Sequence, residues 1–206
     1  MKKSIFLFFL FNLTITTLFS QERKIYLGLN YGRATQNSFP LNDPDYDYDN
    51  QYLKVQINYP LTLKENFNFE LLIEPSVYFA NHQLLNEQFV LPTTENFLEL
   101  REKFTKRRAF EEYALNIGIL IRYNIFSKFS SYLLGSVGPM ISNEDTERLK
   151  RGFAFSDILG LGFSWKQKRI LFDFRLTLRH NSNLNFASPN KGHNSFGIES
   201  GISFQL

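Results

Sequence analysis

Near the C-terminus, His180, Ser182 and Asn194 carry the side chains that nucleophilic acyl chemistry needs. Such chemistry requires a hydroxyl, a base to take its proton, and a group that orients the base. Ser182 offers the hydroxyl, His180 the base and Asn194 the orienting group. An Asn can orient an imidazole but brings no charge to set against an imidazolium. Asn183 and Asn190 are candidate oxyanion donors. The chain contains no Cys, which rules out a thiolate nucleophile, a disulfide framework and a thiolate metal site. His82, His180 and His193 show no ligand spacing, so no metal or organic cofactor is expected.

These residues have to be held by strands. After residue 22 the dominant signal is an alternation of period two. It picks out eight segments: 25–35, 51–61, 67–80, 111–125, 130–141, 153–165, 170–182 and 194–206. The fifth is weak, and its register is ambiguous. Pro75 removes a ladder donor from the third and predicts a bulge. In the seventh, His180 and Ser182 lie two apart and share a face with Phe172, Phe174, Leu176 and Leu178. Asn194 has the parity of Phe196 and Ile198 at the start of the eighth. Three polar side chains therefore converge at one end of two adjacent, otherwise apolar rows.

Alternation alone does not say which face points inward. The opposite face carries Gln56, Asn58, Glu70, Glu74, Asn116, Arg122, Asp173, Arg175, Arg179 and Glu199. It also carries Gly28, Gly32, Gly118, Gly160, Gly162, Gly197 and Gly201. An eight-stranded barrel is only just wide enough for its interior side chains, so its inner face needs small residues, and mixed charges there can satisfy one another. The expectation is an all-β fold, an eight-stranded antiparallel up-and-down transmembrane β-barrel with the apolar face in lipid. Short turns near 62–66, 126–129 and 166–168 alternate with long polar connections, as in outer-membrane barrels with periplasmic turns and surface loops. The His180–Ser182 end of the seventh strand then lies at the cell surface.

Composition agrees with export to that membrane. Hydrophobic residues make up 43% of the 206, yet mean hydropathy is −0.25, so apolar residues are interleaved with polar ones and do not form helical spans. Lys2 and Lys3, an apolar run over 5–19 and a small Ser20 read as a cleaved signal peptide over 1–20, leaving a barrel domain over 21–206. Cleavage lowers the 23 basic residues to 21 against 20 acids, a net charge of +1, which gives no sign of a nucleic-acid partner. The C-terminal run Gly201-Ile202-Ser203-Phe204-Gln205-Leu206 resembles the signal read by the barrel-assembly machinery.

Two loop features have alternative readings. Asp43, Asp45, Asp47 and Asp49 form either a calcium site or a solvated acidic loop. Residues 98–112 form either a short amphipathic helix whose Arg101, Lys103, Lys106, Arg107 and Arg108 meet lipid phosphates, or a solvated charged loop.

The run His180-Asn181-Ser182-Asn183, followed by Pro189-Asn190-Lys191-Gly192, resembles the His-x-Ser-Asn…Pro-Asn-x-Gly signature of the lipid A 3-O-deacylases, the PagL-type family of outer-membrane barrels. The resemblance implies a serine esterase that removes an ester-linked acyl chain from lipid A, with lipopolysaccharide as partner and no cofactor. It implies Ser182 as nucleophile, His180 as base and Asn190 as oxyanion donor, with Gly192 completing the substrate-positioning motif. Asn194 stands where the family has Glu, and Asn185 where it has Gly. Glu199 has the opposite parity, pointing inward, and cannot replace the missing acid. The alternative is a non-catalytic barrel with a structural or surface-binding role. A homodimer is compatible with either reading.

Overall fold

The computed structural model describes residues 24–63 and 66–206; the expected signal peptide at 1–20 lies outside the described residues. Eight strands run in chain order: β1 (Tyr26–Thr35), β2 (Tyr46–Leu63), β3 (Phe67–Leu84), β4 (Arg108–Asn124), β5 (Phe129–Ser142), β6 (Gly152–Gln167), β7 (Ile170–Ser182) and β8 (His193–Gln205). Each pairs antiparallel with the next, and β1 pairs with β8, closing the sheet into a barrel with no free edge. Strands β2, β3 and β4 have 18, 18 and 17 residues, longer than the 9–11 or so that a tilted strand needs to cross a bilayer.

The surplus length has a physical signature. Within the wall, Leu53, Val55, Ile117, Leu159 and Phe174 point out, while Lys54, Asn116 and Arg175 are buried inside. Towards the long-loop end the alternation inverts. Tyr46, Tyr48, Ala80 and Phe110 turn inward and pack together, while Asp47, Asp49, Asn81 and Glu111 take the outer side. A barrel that projects beyond the lipid needs a polar exterior and can close its mouth with apolar side chains. Pattern reading that follows one apolar row therefore stops β2, β3 and β4 several residues short.

The bulge expected at Pro75 is not there. Register is unbroken from Ser76↔Lys54 to Ile73↔Ile57, and Pro75 pairs with Leu115 in the β3–β4 ladder. The irregularity falls between Pro60 and Thr62 of β2 instead, near the β2–β3 turn. The charged segment at 98–112 divides. Phe97–Thr105 is helix α1, and the chain from Arg108 belongs to β4. Its basic residues engage the protein itself: Lys103 and Arg108 meet Glu144, Lys106 meets Glu102, and Arg107 meets Asp47 and Asp49. These pairings also account for half of the acidic loop. Among the described residues, no group of three or more acidic or His side chains is arranged to hold a metal ion.

The interior is a polar core. Arg175 Nε donates to Glu199 Oε1 at 2.6 Å, Lys54 Nζ lies 2.8 Å from Glu199 Oε2, and Arg175 also bonds Glu74. Towards the short-turn end, Arg122 pairs with Glu70 at 2.6 Å; towards the mouth, Arg179 pairs with Glu112 at 2.7 Å and lies over the Tyr78 ring. Glycines make room for this filling. A methyl group at Gly162 would run into the Tyr132 ring, and one at Gly32 into Tyr52.

Candidate active site

Three neighbouring strands set one level of the outer wall near the long-loop end. Register pairs His180 of β7 with Asn194 of β8 on one side and with Asp157 of β6 on the other. His180 is half-buried, while Asp157 and Asn194 are exposed. His180 Nδ1 lies 2.7 Å from Asn194 Oδ1. In that contact Nδ1–H donates to the amide oxygen, which leaves the Nε2 lone pair free to accept a proton. Ser182 follows two residues later on the same side of β7, about 7 Å along the strand by its rise. It is half-buried, and register sets it beside Phe155, which packs edge-on against Phe153. Among the described residues, the Ser182 hydroxyl makes no hydrogen bond to the ring. Apo sites often tighten such contacts only when substrate arrives.

The connection over 183–192 is built around its asparagines. Asn183 is buried; its Nδ2 donates to Ala187 O at 2.8 Å, and its Oδ1 accepts from Asn185 N at 3.1 Å. Asn190 Oδ1 accepts from Asn183 N at 2.7 Å, and its Nδ2 donates to Asn185 Oδ1 at 3.0 Å. In this state both side chains brace the loop that follows Ser182. Asn185 has φ 65°, a left-handed conformation that Asn tolerates better than most residues that carry a Cβ.

Gly192 has φ 72°. The β7–β8 ladder runs from His180↔Asn194 to Asn181↔His193, so its next step would set Gly192 opposite Ser182. A Cβ there would collide with the Asn181 carbonyl and stand 3.0 Å from His180 Cε1. Only a glycine leaves both the backbone path and the imidazole undisturbed.

The connection over 143–151 clamps this loop from above. Arg148 O accepts from Lys191 N at 2.6 Å and from Gly192 N at 3.1 Å, and Arg148 Nε donates to Gly192 O at 2.9 Å. Its guanidinium lies over Tyr46, 4.2 Å from the ring centre. Asp145 anchors the same connection. Burial pushes its carboxyl up, but the Arg151 N–H and the Lys150 ammonium outweigh that and hold it below the usual carboxylate range.

An apolar groove of about 710 Å³ starts at Asp157, His180 and Asn194 and crosses β6, β5 and β4 past Leu159, Val137 and Ile117. Gly135 lies on the outer face of β5 between Ile119 and Leu159, and no heavy atom lies within 4 Å of where its Cβ would be. The imidazole thus stands at the head of an apolar channel, and Ser182 lies two residues further along β7, outside the groove's lining.

A profile described as Lipid A 3-O-deacylase (PagL) matches residues 26–203. The chain belongs to the lipid A 3-O-deacylase (PagL) family. Among solved structures, the outer membrane enzyme PagL superposes with a TM-score of 0.57 at 9% identity, covering 85% of this chain and 97% of that one. Neisserial surface protein A (NspA) gives 0.51 at 11% identity, covering 88% of this chain and 97% of that one. At such identities the likeness shows a shared barrel fold. No curated protein sequence matches. The PagL-family fold and its outer-membrane setting are thus established for this chain.

Within that family frame, sequence reasoning brought His180, Asn194 and Ser182 to one side of one end of the wall, and there they lie. It missed two residues. Arg148 ties two loops together through backbone contacts, which leave no pattern in sequence. Asp157 was legible: it is an acid at an outward position in the row Phe153, Phe155, Leu159, Leu161, Phe163, Trp165.

Proposed function

We propose that this chain is a serine esterase that removes an ester-linked acyl chain from lipid A in the outer leaflet, with Ser182 as nucleophile and His180 as general base. The observation that carries the reading is the His180 Nδ1–Asn194 Oδ1 hydrogen bond on an outward, otherwise apolar face beside the groove. Nothing in barrel architecture calls for an oriented imidazole there. The long connections belong to the cell surface, as they do in outer-membrane barrels generally, which sets the pair at the level of the outer leaflet.

In the reaction, Ser182 Oγ attacks the ester carbonyl carbon while His180 Nε2 takes its proton. Collapse of the tetrahedral intermediate expels the sugar alkoxide, which receives that proton from His180. Water, activated by the same imidazole, then hydrolyses the acyl-serine. Asn194 orients the ring throughout. Asn190 sits one loop away from Ser182, and releasing its Nδ2 from Asn185 would free a donor for the oxyanion.

The decisive experiment is mass spectrometry of lipid A from cells expressing the wild type or Ser182→Ala. The wild type is expected to yield lipid A short of one acyl chain, and Ser182→Ala to yield it intact while folding normally. An acylation pattern that the wild type leaves unchanged overturns the esterase reading. It would favour the non-catalytic barrel, to which the neutral Asn194 in the acid's position also points.

A further inference from the structure

His180 has an orienting partner in Asn194 but gains no charge from it. When the ring takes the Ser182 proton, an imidazolium forms on the lipid-facing side of the wall. There solvation is poor, and a neutral amide offsets only part of the cost. The other cross-strand neighbour of His180 is an acid. Asp157 of β6 is the direct cross-strand partner of His180, and side chains so paired on one face have Cβ atoms about 5 Å apart. From there a carboxylate that turns to within about 4–6 Å of the ring would favour an imidazolium formed during the reaction.

The placement of Asp157 is hard to explain otherwise. From Phe153 to Trp165 the outward row of β6 is otherwise aromatic or aliphatic, and the neighbour of Asp157 on β5 is Val137. Charge on the lipid face of a barrel is unfavourable. The interior charges of this protein sit in paired networks, whereas Asp157 faces His180 and lines the groove beside it. Two cations at this end of the wall are engaged elsewhere: Arg179, the chain neighbour of His180, points inward to Glu112, and Arg148 is bound to Gly192 O.

We infer that Asp157 is a positioning residue of the same site, supplying from β6 the negative charge that the family's Glu supplies from the position of Asn194. The acid has moved from one neighbour of the imidazole to the other, and the β8 side keeps only the orienting hydrogen bond. This rests on the esterase reading.

The test measures deacylation by purified, refolded barrel in mixed micelles with lipid A, for the wild type, Asp157→Asn, and Asp157→Asn combined with Asn194→Glu. Asp157→Asn is expected to lower kcat by about 10- to 100-fold with KM unchanged, since the charge matters only once the imidazolium forms. Adding Asn194→Glu is expected to restore kcat to within about threefold, because the charge returns on the other flank. A merely structural role for Asp157 would not be rescued by an acid on a different strand. Full activity in Asp157→Asn, or failure of Glu at position 194 to rescue a folded barrel, overturns the inference while leaving Ser182 and His180 in place. A wild type that does not deacylate overturns the esterase reading and this inference with it.

Discussion

Two clusters of polar side chains lie on opposite faces of one wall, and they obey different rules. Inside, Arg175, Glu74, Glu199 and Lys54 are sealed from solvent and form ion pairs with one another. Outside, Asp157, His180, Asn194 and Ser182 interrupt an apolar face with one hydrogen bond among them. The inner cluster is what a closed barrel with a charged lumen must have, because each buried charge without a partner would cost several kcal/mol. The outer cluster has no such necessity. Apolar side chains would suit each of its positions better, so chemistry is the better explanation for it.

The comparison breaks most sharply at His180. His180→Ala should lower deacylation by about 10³-fold or more, as loss of a general base does, and leave the unfolding midpoint in urea unchanged. Removing a member of the inner cluster should do the reverse. Glu199→Ala takes from Lys54 its closest countercharge and leaves Arg175 with Glu74 alone, and should destabilise the barrel by about 3–5 kcal/mol, read from urea unfolding in micelles. The fraction that remains folded should deacylate at the wild-type rate. A Glu199→Ala barrel of unchanged stability would mean that the inner charges are dispensable.

Gly192 belongs partly to both regimes. Gly192→Ala must adopt a left-handed conformation, at a cost of about 1–2 kcal/mol, and its methyl would press on the Asn181 carbonyl. The same methyl would reach the imidazole, and a displacement of the order of 1 Å in a reacting group is enough to lower turnover by about 10²-fold. Turnover and urea midpoint should therefore fall together here, unlike in either cluster. A stable, fully active Gly192→Ala would show that the His180 ring does not depend on this approach.

The same contrast explains what could be read in the sequence. Lipid imposes one rule along a whole strand, so rows such as Tyr113, Leu115, Ile117, Ile119, Ile121 and Tyr123 announce both the strand and its outward face. The glycines on the other face announce a narrow lumen. Legibility ends where the lipid ends. Asp47, Asp49 and Asn81 read as loop because an apolar row had stopped, yet they continue strands whose exterior meets water. For the site, parity was enough to bring His180, Ser182 and Asn194 together, because each lies on a strand or at its end. Parity could not supply the braces on Asn183 and Asn190, since backbone contacts across loops are set by conformation and leave no periodic trace. Asp157 was lost for another reason: following the apolar members of a row hides the single member that is not apolar.

The smallest expected effect concerns the groove. Gly135→Leu would fill the open space between Ile119 and Leu159 and shorten the channel leading from His180. In water, displacing about three methylenes of an acyl chain would cost about 2.4 kcal/mol, or a factor of about 60, by the usual value per buried CH₂. In a bilayer that driving force is missing, because the tail leaves one apolar environment for another and only packing differs. Gly135→Leu should therefore raise KM only two- to fivefold for lipid A in membranes, but more than tenfold for a water-soluble ester with a medium-length acyl chain, with kcat little changed in both. Equal effects in the two assays would mean that the groove does not hold the acyl chain, and the outer cluster would have to meet its ester from some other direction.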